Sequence, residues 1–160
     1  MTTYSSPIIL GAKYTDHRTQ ISGYAVSLWF NQEGCIEVNL EFVKDGKVEY
    51  AGFAQERLTT EDAKVLAARG KSIIHESDII LGELYEDIQT GIKGHATVME
   101  FHEYQANRVT IRGITTNADG SAKMTYYSID DFLLKHVETA KTVKRQDDRP
   151  SPITREVERR

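Results

Sequence analysis

The amino-acid sequence predicts an α+β fold: a mainly antiparallel sheet built from two three-stranded meanders, each followed by a helix, with a charged C-terminal tail. Apolar and polar residues alternate along six segments rich in Val, Ile, Tyr and Phe, as they do in strands that bury one face. Each meander also has two short loops whose third residue is Gly or Asn, as a type I turn followed by a left-handed residue requires. These loops are Gln32-Glu33-Gly34, Lys44-Asp45-Gly46, Gln105-Ala106-Asn107 and Ala118-Asp119-Gly120.

Loop length predicts which side chains meet, because residues directly opposite each other in an antiparallel pair share a face of the sheet. In the first hairpin a three-residue loop sets Phe30 against Ile36. In the second, a three-residue loop sets Phe42 against Val48, whereas a two-residue Asp-Gly turn would oppose Phe42 to Glu49. Matching apolar to apolar therefore favours the longer loop and places the even-numbered residues of this meander in the core. The predicted strands are 21–30, 35–43 and 47–55, then 95–104, 108–116 and 122–128.

Helix signals follow both meanders. Thr59 with Asp62 three residues later is a capping-box arrangement, and Gly70 ends the predicted helix. Ser128 with Asp131 has the same arrangement, and the apolar residues after it recur at helical spacing. The segment 71–90 is open to two interpretations, a brief strand followed by a helix capped at Ser77, or a strand. The apolar face of the last helix consists of Ile129, Phe132, Leu133, Val137 and Ala140.

The chain is long enough for one domain with a substantial core, predicted to span residues 1–140. The order of three strands and a helix occurs twice, which suggests a βββα duplication of residues 19–70 and 95–141. Residues 141–160 contain seven basic and four acidic side chains and almost no large apolar ones, so we expect a charged, flexible tail.

Composition narrows the compartment and the partners. Cys35 is the only cysteine, which favours a reducing, cytoplasmic location, and no apolar stretch approaches the length of a membrane span. The net charge of −4 divides into −7 for residues 1–140 and +3 for the tail. Because so acidic a body disfavours nucleic acid, nucleic-acid binding is expected only through the tail.

The face of the first meander opposite its predicted core combines aromatic and acidic side chains. Such a surface fits a protein partner with a basic surface, or a sugar. The alternative interpretation is that the aromatic residues pack under a helix while the carboxylates line the sheet in water. The predicted partner-binding residues are Trp29, Glu37, Glu41, Glu49 and Phe53.

The second meander offers a candidate ligand site. Its predicted register places Glu100 opposite Arg112 and Arg112 opposite Tyr126, with His102 on the same face. Such a group is able to bind an anion or shuttle a proton. The alternative is a solvated face held by cross-strand charge pairs, each contributing about 0.2 to 1 kcal/mol. The five histidines lack the spacing of a metal site, and neither catalytic residues nor a cofactor are predicted.

From these patterns we predict a non-enzymatic protein-interaction or inhibitor-type module that binds another protein and forms a homodimer through an exposed strand edge. The alternatives are a small-ligand binder or hydrolase that uses Glu100, His102, Arg112 and Tyr126, and a nucleic-acid-binding protein that uses its tail. No spacing in the chain is typical of an enzyme site, so the sequence favours a binding function over catalysis.

Overall fold

The computed structural model describes residues 1–138 and is nearly all-β: twelve strands, most of them in one large antiparallel sheet, and one short helix. The predicted α+β class, with a helix after each meander, is therefore wrong. The strands are β1 (Thr2–Ser6), β2 (Lys13–Asp16), β3 (Ser22–Asn31), β4 (Ile36–Lys44), β5 (Lys47–Ala54), β6 (Leu58–Thr59), β7 (Ile73–Ser77), β8 (Leu84–Asp87), β9 (Lys93–His102), β10 (Arg108–Thr116), β11 (Ala122–Asp130) and β12 (Leu134–His136).

The six meander strands lie close to their predicted positions, but the expected last helix is absent. Ser128, its predicted N-cap, lies inside β11 opposite Thr110. One turn of 3-10 helix, Asp131–Leu133, then leads into β12, which pairs with β8. The spacing of Ile129, Phe132 and Leu133 resembles a helical stripe, yet pairing with neighbouring strands prevails. Ala140, the last residue of the predicted apolar face, lies outside the described residues, as does the predicted tail.

The other two predicted helices also need correction. The helix after Ser77 is replaced by β8, and the Ser77 hydroxyl accepts a hydrogen bond from the Ile79 amide at 3.1 Å within a turn. After the first meander a helix does form, but α1 is only six residues long (Ala63–Ala68). Its N-cap is Asp62, whose side chain accepts from the Lys64 amide, and not Thr59. Within residues 1–138, no helix is long and apolar enough to cross a membrane.

Two of the four hairpin loops are confirmed and two are wrong. Phe30 does face Ile36, and Arg112 does face Tyr126. In the second hairpin, however, Asp45 and Gly46 both have positive φ and close a two-residue turn, so Phe42 faces Glu49. Asp-Gly is favoured in such turns because both positions need left-handed backbone, and here that preference outweighs apolar matching. In the third hairpin the loop is longer than predicted, because five residues lie between β9 and β10.

The twelve strands fall into two sets of six that correspond element for element. The N-terminal half comprises β1–β6 and the C-terminal half β7–β12, and each has a turn of 3-10 helix before its last strand. Residues 6–30 match residues 77–101 without a gap at a separation of 71 positions. The identical pairs are Ser6/Ser77, Ile8/Ile79, Ile9/Ile80, Leu10/Leu81, Gly11/Gly82, Tyr14/Tyr85, Asp16/Asp87, Thr19/Thr90, Ile21/Ile92, Gly23/Gly94, Ala25/Ala96 and Phe30/Phe101.

Local hydrogen bonds repeat at the same separation. The Gly11 amide donates to the Ala25 carbonyl at 2.7 Å, and Gly82 donates to Ala96 at 2.7 Å. The Tyr14 hydroxyl accepts from the Ile9 amide at 2.9 Å, and in the other half the Tyr85 hydroxyl accepts from Ile80 at 2.8 Å. The correspondence thus includes the backbone geometry of the turns. A duplication with the predicted bounds of 19–70 and 95–141 stays a prediction.

A pseudo-twofold axis relates the halves and passes between β3 and β9. Leu28 pairs with Phe101, and their counterparts Met99 and Phe30 pair with each other, so exchanging the halves preserves the register. The same exchange maps the β1–β7 pair, in which Tyr4 faces its own counterpart His75, onto itself. The aromatic core lies between this two-stranded sheet and the large sheet, where the Tyr4 and Phe30 rings are 5.3 Å apart.

Candidate interaction surface

The large sheet has an inner face turned to the core and an outer face. On β4 the side chains of Val38 and Leu40 are fully buried, whereas those of Glu37, Asn39 and Glu41 are only partly buried. Because side chains alternate along a strand, the odd-numbered residues of β4 occupy the outer face, as the sequence predicts.

We term the hairpin β4–β5 the first arm. Five residues on this hairpin and on the adjoining part of β3 form what we term the first-arm patch. Tyr24 faces Glu41, Glu41 faces Tyr50, and Val43 faces Val48, so all five share the outer face. Apart from the partly buried Glu41, each of them exposes more than half of its surface, and Val43 exposes 71%. By accepting a hydrogen bond from the Tyr50 hydroxyl, the Glu41 carboxylate raises the pKa of Tyr50. The patch is therefore a contiguous apolar and aromatic surface around one carboxylate.

A bulge and a glycine place Tyr24 in this patch. The register of β3 with β4 shifts between Ala25 and Ser27, so Ala25 rather than Val26 faces Leu40. Next to the bulge, a Cβ at Gly23 would lie 2.5 Å from the Glu41 carbonyl oxygen, closer than a side chain allows. Gly23 thus permits β3 to approach β4, and Tyr24 lies opposite Glu41 instead of in the core opposite Phe42.

We term the hairpin β10–β11 the second arm. The corresponding residues of the C-terminal half, on this hairpin and on the adjoining part of β9, form the second-arm patch. Arg112 faces His95 on one side and Tyr126 on the other, and Ile114 faces Met124. These are the counterparts of Glu41, Tyr24, Tyr50, Val43 and Val48, in that order, and Ile114, Met124 and Tyr126 are more than half exposed. The shape of the first-arm patch is thereby repeated with the opposite central charge.

The structure separates the five predicted partner-binding residues into two groups. Trp29, Glu37 and Glu41 share the outer face, since Trp29 faces Glu37 across β3 and β4. Phe53 faces Val38, is 6% exposed and belongs to the core, while Glu49 faces Phe42 and projects from the other side of the arm. The cause is the two-residue Asp45-Gly46 turn, which moves β5 by one residue relative to the prediction and reverses its two faces.

The four predicted ligand-binding residues form two separate pairs. Glu100 faces Arg108 rather than Arg112, because five residues lie between β9 and β10. Arg112 lies four positions further along β10, about 13 Å away at the rise of a strand. A ligand role for Glu100, His102, Arg112 and Tyr126 stays a prediction, but the expected direct pairing of Glu100 with Arg112 is wrong.

Glu100 and His102 form a largely buried pair beside the pseudo-twofold axis. The Nε2 atom of His102 lies 2.9 Å from Oε2 of Glu100, and the two side chains are 11% and 9% exposed. Ser27, directly opposite His102, is fully buried, and its hydroxyl accepts a hydrogen bond from Trp29 Nε1 at 3.0 Å. A nucleophilic serine must reach its substrate and be deprotonated by its base, whereas this hydroxyl is inaccessible and bound to an indole. The group fits a structural role.

A polar cleft adjoins the first-arm patch at Tyr24. Its volume is about 800 Å³, and its lining is mostly hydroxyl and charged side chains from β2, β3 and the segment 59–62. Most of these groups already bond within the protein: Thr15 and Ser22 hydroxyls lie 2.6 Å apart, and Asp62 accepts from the Lys13 amide. Among residues 1–138, no group of three or more His, Cys, Asp or Glu side chains is arranged to hold a metal ion.

Sequence reasoning missed most of both patches. It found Glu41, Arg112 and Tyr126, but placed Tyr24, Val48 and Tyr50 in the core and assigned no role to Val43, Ile114 or Met124. The available signal was the repeat: Glu41 and Arg112 are 71 positions apart, and each is followed two residues later by a β-branched apolar residue.

Comparison of the chain with protein-family models, curated protein sequences and solved structures finds no significant match.

Proposed function

We propose that the protein is a non-enzymatic binding module whose first-arm patch docks a protein with a basic, partly apolar surface. The observation that carries the proposal is the patch itself, in which Tyr24, Val43, Val48 and Tyr50 surround Glu41 on one face. Contiguous exposed apolar patches mark interaction sites more often than scattered apolar residues do.

The chemistry of the patch supports this type of partner. Tyrosine contributes a large contact area at a small cost in side-chain entropy, and it is common in the residues that dominate binding energy. Glu41 supplies a negative charge at the centre, and Glu37 lies on the same face of β4. A lysine or arginine that approached between the two tyrosines would meet a carboxylate and aromatic rings together.

The edge of the sheet offers a second means of contact. Within the part of the chain that the structure describes, β5 pairs with β4 alone, so its other edge carries backbone groups outside the sheet ladder. An extended segment of the partner is able to add to such an edge through main-chain hydrogen bonds. Because the patch lies beside this edge, strand addition and side-chain docking are compatible.

Cytoplasmic action is part of the proposal. The single cysteine, Cys35, is exposed and forms no disulfide. An exposed free thiol suits a reducing compartment, which is where we place the protein and its partner.

The experiment compares proteins captured from a lysate of the source cells by wild-type chain and by the double variant Val48→Ser/Tyr50→Ser. The proposal expects a defined captured protein whose recovery falls at least tenfold with the variant. Ile88→Ser is the matched control, since Ile88 is 61% exposed but lies in a turn outside both arms. Thermal unfolding of all three proteins verifies that they fold. Equal recovery by wild type and double variant contradicts the proposal.

A further inference from the structure

We infer that a second copy of this chain is one partner of the first arm, which docks on the second-arm patch of that copy. This inference rests on the proposed function and names the partner of the same site. It is drawn from the pseudo-twofold correspondence of the two arms and from the opposite charges at their centres.

The two patches have matching frameworks. Glu41 and Arg112 occupy equivalent positions, each facing a residue of the long central strand on one side and a tyrosine on the other. Gly23 and its counterpart Gly94 approach the carbonyl oxygens of these two residues in the same way, since an added Cβ would lie at 2.5 and 2.7 Å. Outer-face side chains in the two arms are therefore spaced alike.

The contents of the two frameworks are complementary. The carboxylate of Glu41 in one patch and the guanidinium of Arg112 in the other are able to form a bidentate pair. Each is bordered on one side by an exposed tyrosine, Tyr50 or Tyr126, and beyond it by an apolar pair, Val43–Val48 or Ile114–Met124. Contact between unlike arms thus brings opposite charges together while the apolar pairs cover each other.

Contact between like arms is disfavoured by the same groups. Two first arms would oppose one Glu41 to another, and two second arms would oppose one Arg112 to another. Like charges brought together at an interface reduce affinity, so charge selects the unlike pair. Such a contact is heterologous: it either closes with two equivalent contacts between two copies or continues along a chain of copies.

The experiment is a charge exchange followed by sedimentation velocity over a concentration series. Wild-type chain is expected to associate reversibly, and added salt is expected to weaken the association. Glu41→Arg and Arg112→Glu are each expected to weaken it at least tenfold, because each creates a like-charge contact. The variant carrying both substitutions restores opposite charges and is expected to recover association to within threefold of wild type.

Two further variants keep the test decisive. Glu49→Arg changes the same charge on the opposite side of the first arm and is expected to leave association unchanged. Should Glu41→Arg fail to fold, Glu41→Gln removes the charge with little change in shape and is expected to weaken association as well. A monomer at every concentration, or a charge exchange that does not restore association, overturns the inference. If capture still depends on Val48 and Tyr50 in that case, the proposed function stands with a different partner.

Discussion

The two halves of the molecule share a turn that keeps the same Asp, Thr and Ile residues, at 16, 19 and 21 and again at 87, 90 and 92, but is anchored differently. In the N-terminal half, Asp16 is fully buried and accepts a hydrogen bond from the Thr19 hydroxyl. It also accepts two hydrogen bonds from the Arg57 guanidinium, at 2.8 and 2.7 Å. In the C-terminal half, Asp87 binds Thr90 at 2.6 Å, and the residue corresponding to Arg57 is Leu133. The halves therefore retain the backbone pattern of the turn while exchanging an ion pair for an apolar contact.

This difference bears on how each half responds to acid. Burial alone would raise the pKa of Asp16, but hydrogen bonds from Arg57 and Thr19 hold that pKa well below its usual range. Hydrogen bonds from Thr90 and the Gln89 amide also lower the pKa of Asp87, without a guanidinium. Both carboxylates contribute stability above the pKa of the unfolded state, near 4, and this contribution is lost as the pH falls through the folded-state pKa.

The largest effect is expected where the halves are most alike. Gly23→Ala and Gly94→Ala each place a Cβ within 2.7 Å of a backbone oxygen on the neighbouring strand, so the strands must separate. We expect each substitution to destabilise the fold by about 3 kcal/mol and to lower Tm by roughly 12 °C. Thermal unfolding measures both. Gly34→Ala is the control: nothing lies within 4 Å of its added Cβ, and we expect a loss of about 1 kcal/mol from the left-handed backbone alone. A large difference between Gly23→Ala and Gly94→Ala would show that the halves are not equivalent at this crossing.

The anchors themselves are expected to give an intermediate effect. Arg57→Leu gives the N-terminal half the residue that the C-terminal half has at the corresponding position. It leaves the buried Asp16 carboxylate without its guanidinium. We expect Tm at neutral pH to fall by roughly 8 °C, since removing one partner of a buried ion pair leaves an uncompensated charge. The acid-induced loss of stability should also be smaller than in wild type, because without the guanidinium the pKa of Asp16 in the folded state lies closer to its value in the unfolded state.

The reciprocal substitution tests the same comparison from the other half. Leu133→Arg offers Asp87 a guanidinium at the position that Arg57 occupies beside Asp16. If Leu133→Arg lowers Tm as much as Arg57→Leu does, partial burial of a guanidinium at residue 133 costs more free energy than its ion pair with Asp87 contributes. The two anchors are then not interchangeable.

The sequence predicts the positions of the meander strands well and their register badly. The difference follows from how many residues contribute to each pattern. Alternation over eight to ten residues identifies the meander strands, because each strand buries one face by itself. Register depends on single residues: the bulge at Val26 and the Asp45-Gly46 turn each shift a strand by one position, which relocates Tyr24 and Phe53. Such shifts arise from backbone preference and close packing, and matching apolar residues across two strands does not detect either of them.

The incorrect helices have another cause. Ile129, Phe132 and Leu133 satisfy a helical spacing, but β12 has a partner in β8, more than forty residues earlier. Tertiary pairing over that distance overrides local propensity, and the only sequence signal for it is the internal repeat. Ile-Ile-Leu-Gly at 8–11 and again at 79–82 shows that 77–88 must fold like 6–17, as a turn and a strand.

The smallest expected effect lies on the pseudo-twofold axis, where the equivalent residues Tyr4 and His75 face each other. His75 packs on Phe101 with ring centroids 4.8 Å apart, its Nε2 atom is buried with no partner among the described residues, and burial lowers its pKa. The unfolded chain therefore binds a proton at a higher pH than the folded chain does, so stability falls as the pH drops below about 6.5. Burial raises the pKa of Tyr4 to about 12, and that group does not titrate in this range.

Substitution at these two positions isolates the contribution of His75. Replacing the imidazole in His75→Phe is expected to remove part of the decrease in Tm between pH 7 and pH 5, a difference of roughly 2 °C from wild type at the lower pH. Tyr4→Phe is expected to lower Tm at every pH, because the hydroxyl no longer donates to the Ile79 carbonyl, without altering the slope. An identical slope in wild type and His75→Phe would show that His75 does not cause the acid sensitivity. A reduced slope would instead show that a single exchange of tyrosine for histidine, at a contact where equivalent residues of the two halves face each other, makes the β1–β7 pair sensitive to pH.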